Sequence, residues 1–270
     1  MYKLIALDMD GTLLTSDKTI SDNTKRAIDA ARQQGVKVVL ASGRPLDGMQ
    51  AKLDELNIDG DNEFVVYFNG SMVKELGSDK LIHTAIIDGA KAKKVANLAK
   101  ELGLDCHAFS TEHGLITPKM NPHTDVEANI NQIPVTEMAF DQLADDHPII
   151  KAMIVGEPEK LTAGIGQIPD EFHQAFTIVQ SAPFFLEFLN LDSNKGVGVG
   201  AIAEYLGIRA DEVICVGDAE NDHHMLQYAG LGVAMDNAMP QTKQIADHIT
   251  ASNNDDGVAK VIEQFILNAS

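Results

Sequence analysis

Cysteine is scarce in this chain, long apolar runs are missing, and cations are outnumbered almost two to one. Its 270 residues hold two cysteines, Cys106 and Cys215, far apart and in no Cys-x-x-Cys pair. That excludes a zinc knuckle and a disulfide framework, fits a reducing compartment, and makes each thiol a small buried hydrophobe. No apolar run approaches the ~18 residues of a membrane span, and the N-terminal stretch reaches its first acid at Asp8 with Lys3 as its one cation. Neither secretion nor membrane insertion is expected, and the expected location is the cytoplasm. Lys and Arg number 21 against 40 Asp and Glu, a formal net charge of −19, which repels nucleic acid and anionic membranes at long range. An anionic substrate meets the same repulsion, so a site for one must concentrate positive charge locally, from Lys, Arg or a metal ion. No repeat or low-complexity tract intervenes, and 44% hydrophobic residues supply one large core or two smaller ones without staples.

What is present is an alternation of strands and helices at both ends of the chain. "KLIALD" reads as a strand, "DNTKRAIDAARQQ" as an amphipathic helix introduced by Ser21 and stopped by Gly35, and "VKVVLAS" as the next buried strand. After Lys195 the alternation resumes with helix "VGVGAIAEYLG", strand "EVICVGD", helix "NDHHMLQYAG", strand "LGVAM" and helices "PQTKQIA" and "GVAKVIEQFIL". Short apolar strands without polar alternation, each followed by a helix, imply a parallel sheet covered on both faces. The middle differs. Beyond "FVVYFNGSMV", where Asn69-Gly70 suggests a tight turn, mixed helices and strands run through "DCHAFS", "GLIT", "TDVEANINQ" and "IIKAMIVG" to "TIVQSAPFFLEF". This order implies a second, α/β domain over 85–189 inserted into a core made of 1–84 and 190–270.

Four strand ends carry reactive polar groups: "LDMDGT", "LASGRP", "NKG" and "VGDAEND". Each alone has a structural explanation. Asp10-Gly11 suits a hairpin turn, Ser42-Gly43 a helix start with Pro45 in its first turn, Lys195-Gly196 a surface loop and Asp218 a helix cap. All four at the carboxyl edge of one parallel sheet, where such sheets bind ligands, point to a site instead. Phosphoryl transfer is the chemistry they share. Asp8 and Asp218 offer hard oxygens suited to Mg²⁺, Ser42 heads a helix whose N–H groups favour a phosphate oxygen, and Lys195 supplies the point charge. Asp222, one helical turn beyond Asp218, is in reach of Lys195 or a metal-bound water.

The same residues resemble the four motifs of haloacid dehalogenase-superfamily phosphatases: "DMDGT", "ASGRP", Lys195-Gly196 and "GDAENDHHML", in that order. "YFNG" and "GVAMDNA" are similar to the Cof-type branch, particularly its bacterial sugar-phosphate phosphatases. The resemblance implies a Rossmann-like core with a central parallel sheet and a C2-type cap, since the long insertion falls between Ser42 and Lys195. It implies that Asp8 is the nucleophile, forming an aspartyl-phosphate, and that Asp10 is the general acid and then the base. Mg²⁺ is then held by Asp8, the Asp10 carbonyl and Asp218, while Ser42 and Lys195 bind the transferring group. Arg44 and Asn221 assist. Asn69, Gly70 and Glu187, near the junction of core and cap, are further candidates for substrate contact. Small phosphorylated metabolites are the expected partners of a monomer or homodimer, with no nucleic acid or membrane.

Other residues carry less. His223-His224 lacks zinc-pair spacing and reads as a solvated or packed helical face, and His107, His113 and His123 read as ordinary cap histidines. A response-regulator receiver also combines acids, a Ser/Thr and a Lys around Mg²⁺, but its acceptor Asp sits on a later strand and it has no cap. A catalytically silent binding module is expected to have lost Asp8 or Asp10. The nearer alternative is a sugar phosphomutase resembling phosphomannomutase, which would need a sugar bisphosphate; the Cof-type resemblance favours hydrolysis.

Overall fold

An apolar strand buried on both faces needs neighbours on both edges, and the first strand has them. In the computed structural model, which describes residues 1–268, Leu4–Leu7 is buried throughout and pairs in parallel with Lys37–Ala41 on one side and Val213–Gly217 on the other. The chain divides into two compact units. The first comprises Met1–Gly43, Met49–Thr84 and the described residues from Asn194 to 268; the second comprises Arg44–Gly48 and Ala85–Ser193.

In chain order the first unit supplies β1 (Leu4–Leu7), β2 (Lys37–Ala41), β3 (Phe64–Tyr67), β4 (Met72–Glu75) and β5 (Leu81–Thr84). The second supplies β6 (Ile87–Asp88), β7 (Asp105–Ser110), β8 (Gly114–Thr117), β9 (Val135–Glu137), β10 (Pro148–Val155), β11 (Thr177–Ala182) and β12 (Phe185–Leu189). The first then resumes with β13 (Val213–Gly217), β14 (Leu231–Ala234) and β15 (His248–Ile249). Its sheet runs β15-β14-β13-β1-β2-β3-β4-β5. Pairing is parallel from β15 to β3 and antiparallel at β3–β4 and β4–β5. The crossover helix Asp22–Gln33 is capped by Ser21, whose side chain accepts from Thr24 N, and buries Ala27, Ile28 and Ala31.

Two local expectations need correction. Asp10-Gly11 joins no hairpin, because both edges of β1 are taken by parallel strands. Instead the chain folds into a tight turn in which Leu13 N and Leu14 N donate to the carbonyls of Asp8 and Met9 at 3.1 and 2.8 Å. Ser42 heads no helix: the helix starts at Asp47. Ser42 still extends the β2–β3 ladder, its N–H donating to Val66 O and its carbonyl accepting from Asn69 N, both at 2.9 Å, and Pro45 disfavours helical backbone at Arg44. The Asn69-Gly70 turn is present. Both residues have positive φ, 54° and 89°, and they link β3 to antiparallel β4.

The second unit's sheet runs β11-β12-β10-β7-β8-β9, with β6 beside the start of β10. One face packs Ala108, Ala152, Ile154, Leu186 and Phe188 into an apolar core with Val95, Leu98, Leu161 and Phe172 of the helices. The alternate residues His107, Met153 and Glu187 stand in register on the opposite face. Residues as far as Ser193, beyond the expected 189, go with this unit. Asn190 Nδ2 donates to Ile86 O at 2.7 Å and Ser193 Oγ to Ala85 O at 2.9 Å, tying the strand that leaves to the one that arrives. Both cysteines are buried, and burial pushes the Cys106 thiol up to about 12. Among the described residues no helix is long and apolar enough to cross a membrane.

Candidate active site

Each acid of the site leaves the carboxyl end of a strand, and one lysine meets two of them. Asp8 follows β1, while Asp218 and Asp222 follow β13. Lys195, the first residue of the helix Lys195–Leu206, whose start is capped by Asn194, is wholly inaccessible. Its Nζ lies 2.6 Å from Asp8 Oδ1 and 2.7 Å from Asp222 Oδ1. The surface-loop reading of Lys195 therefore fails. Asp222 Oδ2 accepts from the amides of Asp218 and Ala219 at 2.9 and 3.0 Å, so both its oxygens are engaged. Removing Lys195 from such a buried set leaves its carboxylates uncompensated, at a typical cost of about 3–5 kcal/mol.

Asp8, Asp218 and Asp222 each offer an oxygen within 4.8 Å of the others. Three carboxylates thus share one ammonium. Burial pushes Asp8 well above the ordinary carboxylate range; Lys195 works against that shift, and Asp222 and Asp218 add to it. Burial, then Asp222, push Asp218 up to about 6, against the hydrogen bond from Thr12 Oγ1 at 3.0 Å. Burial disfavours the charge on Lys195, but Asp222 and Asp8 overcome it and hold the lysine above its usual value. The surplus negative charge and the hard oxygen set fit a divalent cation such as Mg²⁺. Because Lys195 and two amides occupy Asp222, Asp8 and Asp218 are the carboxylates suited to hold it.

The first unit also brings Ser42, Asn69, Gly70 and Asn221 together. Asn69, 4% exposed, is linked through its N–H to Ser42 O and through Oδ1 to Asn221 Nδ2 at 3.0 Å. Asp10 stands apart from the three clustered acids: its carboxylate is 40% exposed and pairs with Lys18 at 2.8 Å. Gly11 has φ +85°, and a Cβ there would lie 2.5 Å from Asp218 Oδ2. Arg44 and Glu187 belong to the second unit. There Arg44 Nη1 donates to Gly48 O at 3.3 Å, and Glu187 pairs with Lys151 at 3.0 Å, both nearly inaccessible. Thr12 and Lys18 escaped the sequence reading. Thr12 lies inside "DMDGT", where a hydroxyl two residues from a candidate acid was signal enough; Lys18 lies in a polar loop with no distinguishing pattern.

The histidines fall outside this cluster. His223 Nε2 is 2.9 Å from Thr242 Oγ1, a packed helical face. Glu112, His113 and His147 also come close to one another. There Ser110 Oγ accepts from the amides of Glu112 and His113 at 3.1 Å, so its proton goes to His147 Nε2 at 2.8 Å.

The sequence profile of the haloacid dehalogenase-like hydrolase family matches residues 5–262. YxeH of Bacillus subtilis, provisionally named a phosphatase, is 38% identical over 269 residues, covering 99% of both chains. The 5-amino-6-(5-phospho-D-ribitylamino)uracil phosphatase YitU of the same organism is 31% identical over 278 residues, covering 97% of both. Among solved structures, that of the subclass IIB sugar phosphatase BT4131 superposes with a TM-score of 0.80 at 26% identity, covering 97% of this chain and 98% of that one.

Proposed function

We propose that this chain, which belongs to the haloacid dehalogenase-like hydrolases, is a Mg²⁺-dependent phosphatase of small phosphorylated metabolites, sugar phosphates foremost. The observation that carries the reading is Lys195, buried between Asp8 and Asp222 at the carboxyl edge of the parallel sheet with Asp218 beside them. Lys195 is outnumbered by three carboxylates, so a divalent cation on Asp8 and Asp218 would complete, together with the lysine, the local positive charge that a dianion needs in a chain of net charge −19. Relatives named for a ribityl phosphate and a sugar phosphate share a polyhydroxylated leaving group, which supports that substrate class.

In this reading Asp8 attacks phosphorus: the Asp8 O–P bond forms as the bond to the leaving oxygen breaks, and Asp10 gives that oxygen its proton. Water then attacks the aspartyl-phosphate, passing a proton to Asp10 as the Asp8 O–P bond breaks and inorganic phosphate departs. Lys195 and Ser42 hold the oxygens of the transferring group, where charge develops. Asp222 fixes Lys195 and, through the amides of Asp218 and Ala219, the start of the loop behind it. Asp8, Asp218 and the Asp10 carbonyl would hold Mg²⁺, which when bound neutralises charge on the phosphoryl oxygens. The second unit reads the organic part of the substrate. Acid quench during turnover of a sugar phosphate is expected to trap a hydroxylamine-labile acyl phosphate on Asp8, and phosphate release is expected to stop with a chelator. Turnover at full rate in Asp8→Asn would overturn the assignment.

A further inference from the structure

The loop carrying Asp10 and Gly11 is fastened by residues that the chemistry above does not use. Asn237 Nδ2 donates to the Gly11 carbonyl at 2.8 Å, and its Oδ1 accepts from the Asn253 amide at 2.9 Å. Asn253 Nδ2 in turn donates to the Leu14 carbonyl at 2.8 Å. Asn254 closes on Ser16, accepting from its amide and donating to its hydroxyl, both at 2.9 Å. The turn bearing Asn237 also grips the other acid-bearing loop, for Met239 N donates to Asp218 O at 2.9 Å and Met235 N to Gly217 O at 3.1 Å. One short turn after β14 therefore clips together the loops that present Asp10 and Asp218. Carboxamides suit the task because each offers a donor and an acceptor in one plane, so that Asn237 bridges an amide to a carbonyl as no charged side chain can.

The aim of Asp10 depends on this clip more than that of Asp8 does. Asp8 is buried at the end of a central strand, whereas the Asp10 carboxylate is 40% exposed and is carried on a turn with a glycine at positive φ. Resting on the phosphatase reading, we infer that Asn237 and Asn253 are positioning residues for proton transfer by Asp10. They set the pitch of the backbone between Asp10 and Leu14, and thereby the distance from the Asp10 carboxyl to the leaving oxygen. They touch neither substrate nor phosphorus.

Asn237→Asp isolates the key bond: it keeps the acceptor toward Asn253 and loses the donor toward Gly11. Misplacing a reacting group by ~1 Å costs on the order of 10²-fold, so the single-turnover rate of phosphoryl transfer from a sugar phosphate is expected to fall about 10- to 100-fold in Asn237→Asp and Asn253→Ala. An aryl phosphate, whose leaving group needs no proton, is expected to lose less than about threefold. KM is expected to hold, and amide hydrogen exchange over residues 9–16 to quicken. Equal losses on both esters, or unchanged rates on both, with the acyl phosphate still forming, would overturn the positioning role alone. Absence of the acyl phosphate in the wild-type enzyme would instead overturn the phosphatase reading beneath it. Should Asn237→Asp misfold, Asn253→Ala and the exchange rates carry the same decision.

Discussion

Asp8 sits in a cluster where three carboxylates share one ammonium, and that has a consequence for stability as well as for chemistry. Asp8→Asn keeps the shape of the side chain and removes one of the repelling charges. It is expected to abolish turnover, by ~10⁴ or more as for other nucleophile deletions, yet to melt in chelator at or above the wild-type temperature. A melting point several degrees lower would mean that Lys195 needs Asp8 more than Asp222. Gly11 is the other decisive position. Alanine there meets a positive φ and a Cβ 2.5 Å from Asp218 Oδ2, so Gly11→Ala is expected to displace Asp218 and raise the Mg²⁺ concentration for half-activity at least about tenfold, the equivalent of ~1.4 kcal/mol. An unchanged Mg²⁺ titration would detach Asp218 from the metal. Asp8, Lys195, Asp218 and Asp222 were legible because each ends a recognisable strand or starts a helix. The bond from Asn237 to Gly11 was not, because nothing local marks a carboxamide and a backbone carbonyl 226 positions apart as partners.

Strand β7 carries a titratable group in an unsuitable place. His107 is fully buried; its Nε2 lies 3.1 Å from Met153 Sδ, which can only accept, so Nδ1 takes the Thr124 hydroxyl proton at 3.0 Å. A second ring proton has no acceptor there. Burial, with Lys151 and His123 adding to it, lowers the His107 pKa from 6.5 to about 3. The unfolded chain therefore binds a proton that the folded one refuses. Stability from this group is complete above about pH 6.5 and is lost as pH falls toward 3, with a slope approaching ~1.4 kcal/mol per pH unit. His107→Gln is expected to flatten that slope in urea titrations between pH 4 and 6.5, and an identical slope in both proteins would refute the assignment. Among the elements, the short unbroken apolar strands of the first unit and the capped helix Asp22–Gln33 were readable from pattern. The helix start at Asp47 was misread because a Ser-Gly-x-Pro stretch looks like a cap while the β2–β3 ladder still holds Ser42. The short strands β9 and β15 have too few residues to show a period.

The insertion itself was legible, since the alternation broken after "FVVYFNGSMV" resumes once Lys195 is passed; its outer limit at Ser193 was not, because side-chain bonds to Ala85 and Ile86 decide it. If the second unit reads the leaving group, exchanging residues 85–193 for those of a relative is expected to re-rank sugar phosphates while leaving the Mg²⁺ requirement intact. A chimera that forms the acyl phosphate and keeps the original ranking would place selectivity in the first unit. The strand order carries one more implication. β1 lies between β2, which follows it closely, and β13, which begins at Val213. On a ribosome adding roughly 5–20 residues per second, about 10–40 s separate the synthesis of Asp8 from that of Asp218. Through that interval the nascent chain has a sheet open on one side of β1 and a lone aspartate at its end. The cluster of Asp8, Asp218 and Asp222 is therefore born late, and chains terminated before Val213 lack the other two acids and the second wall of β1 together.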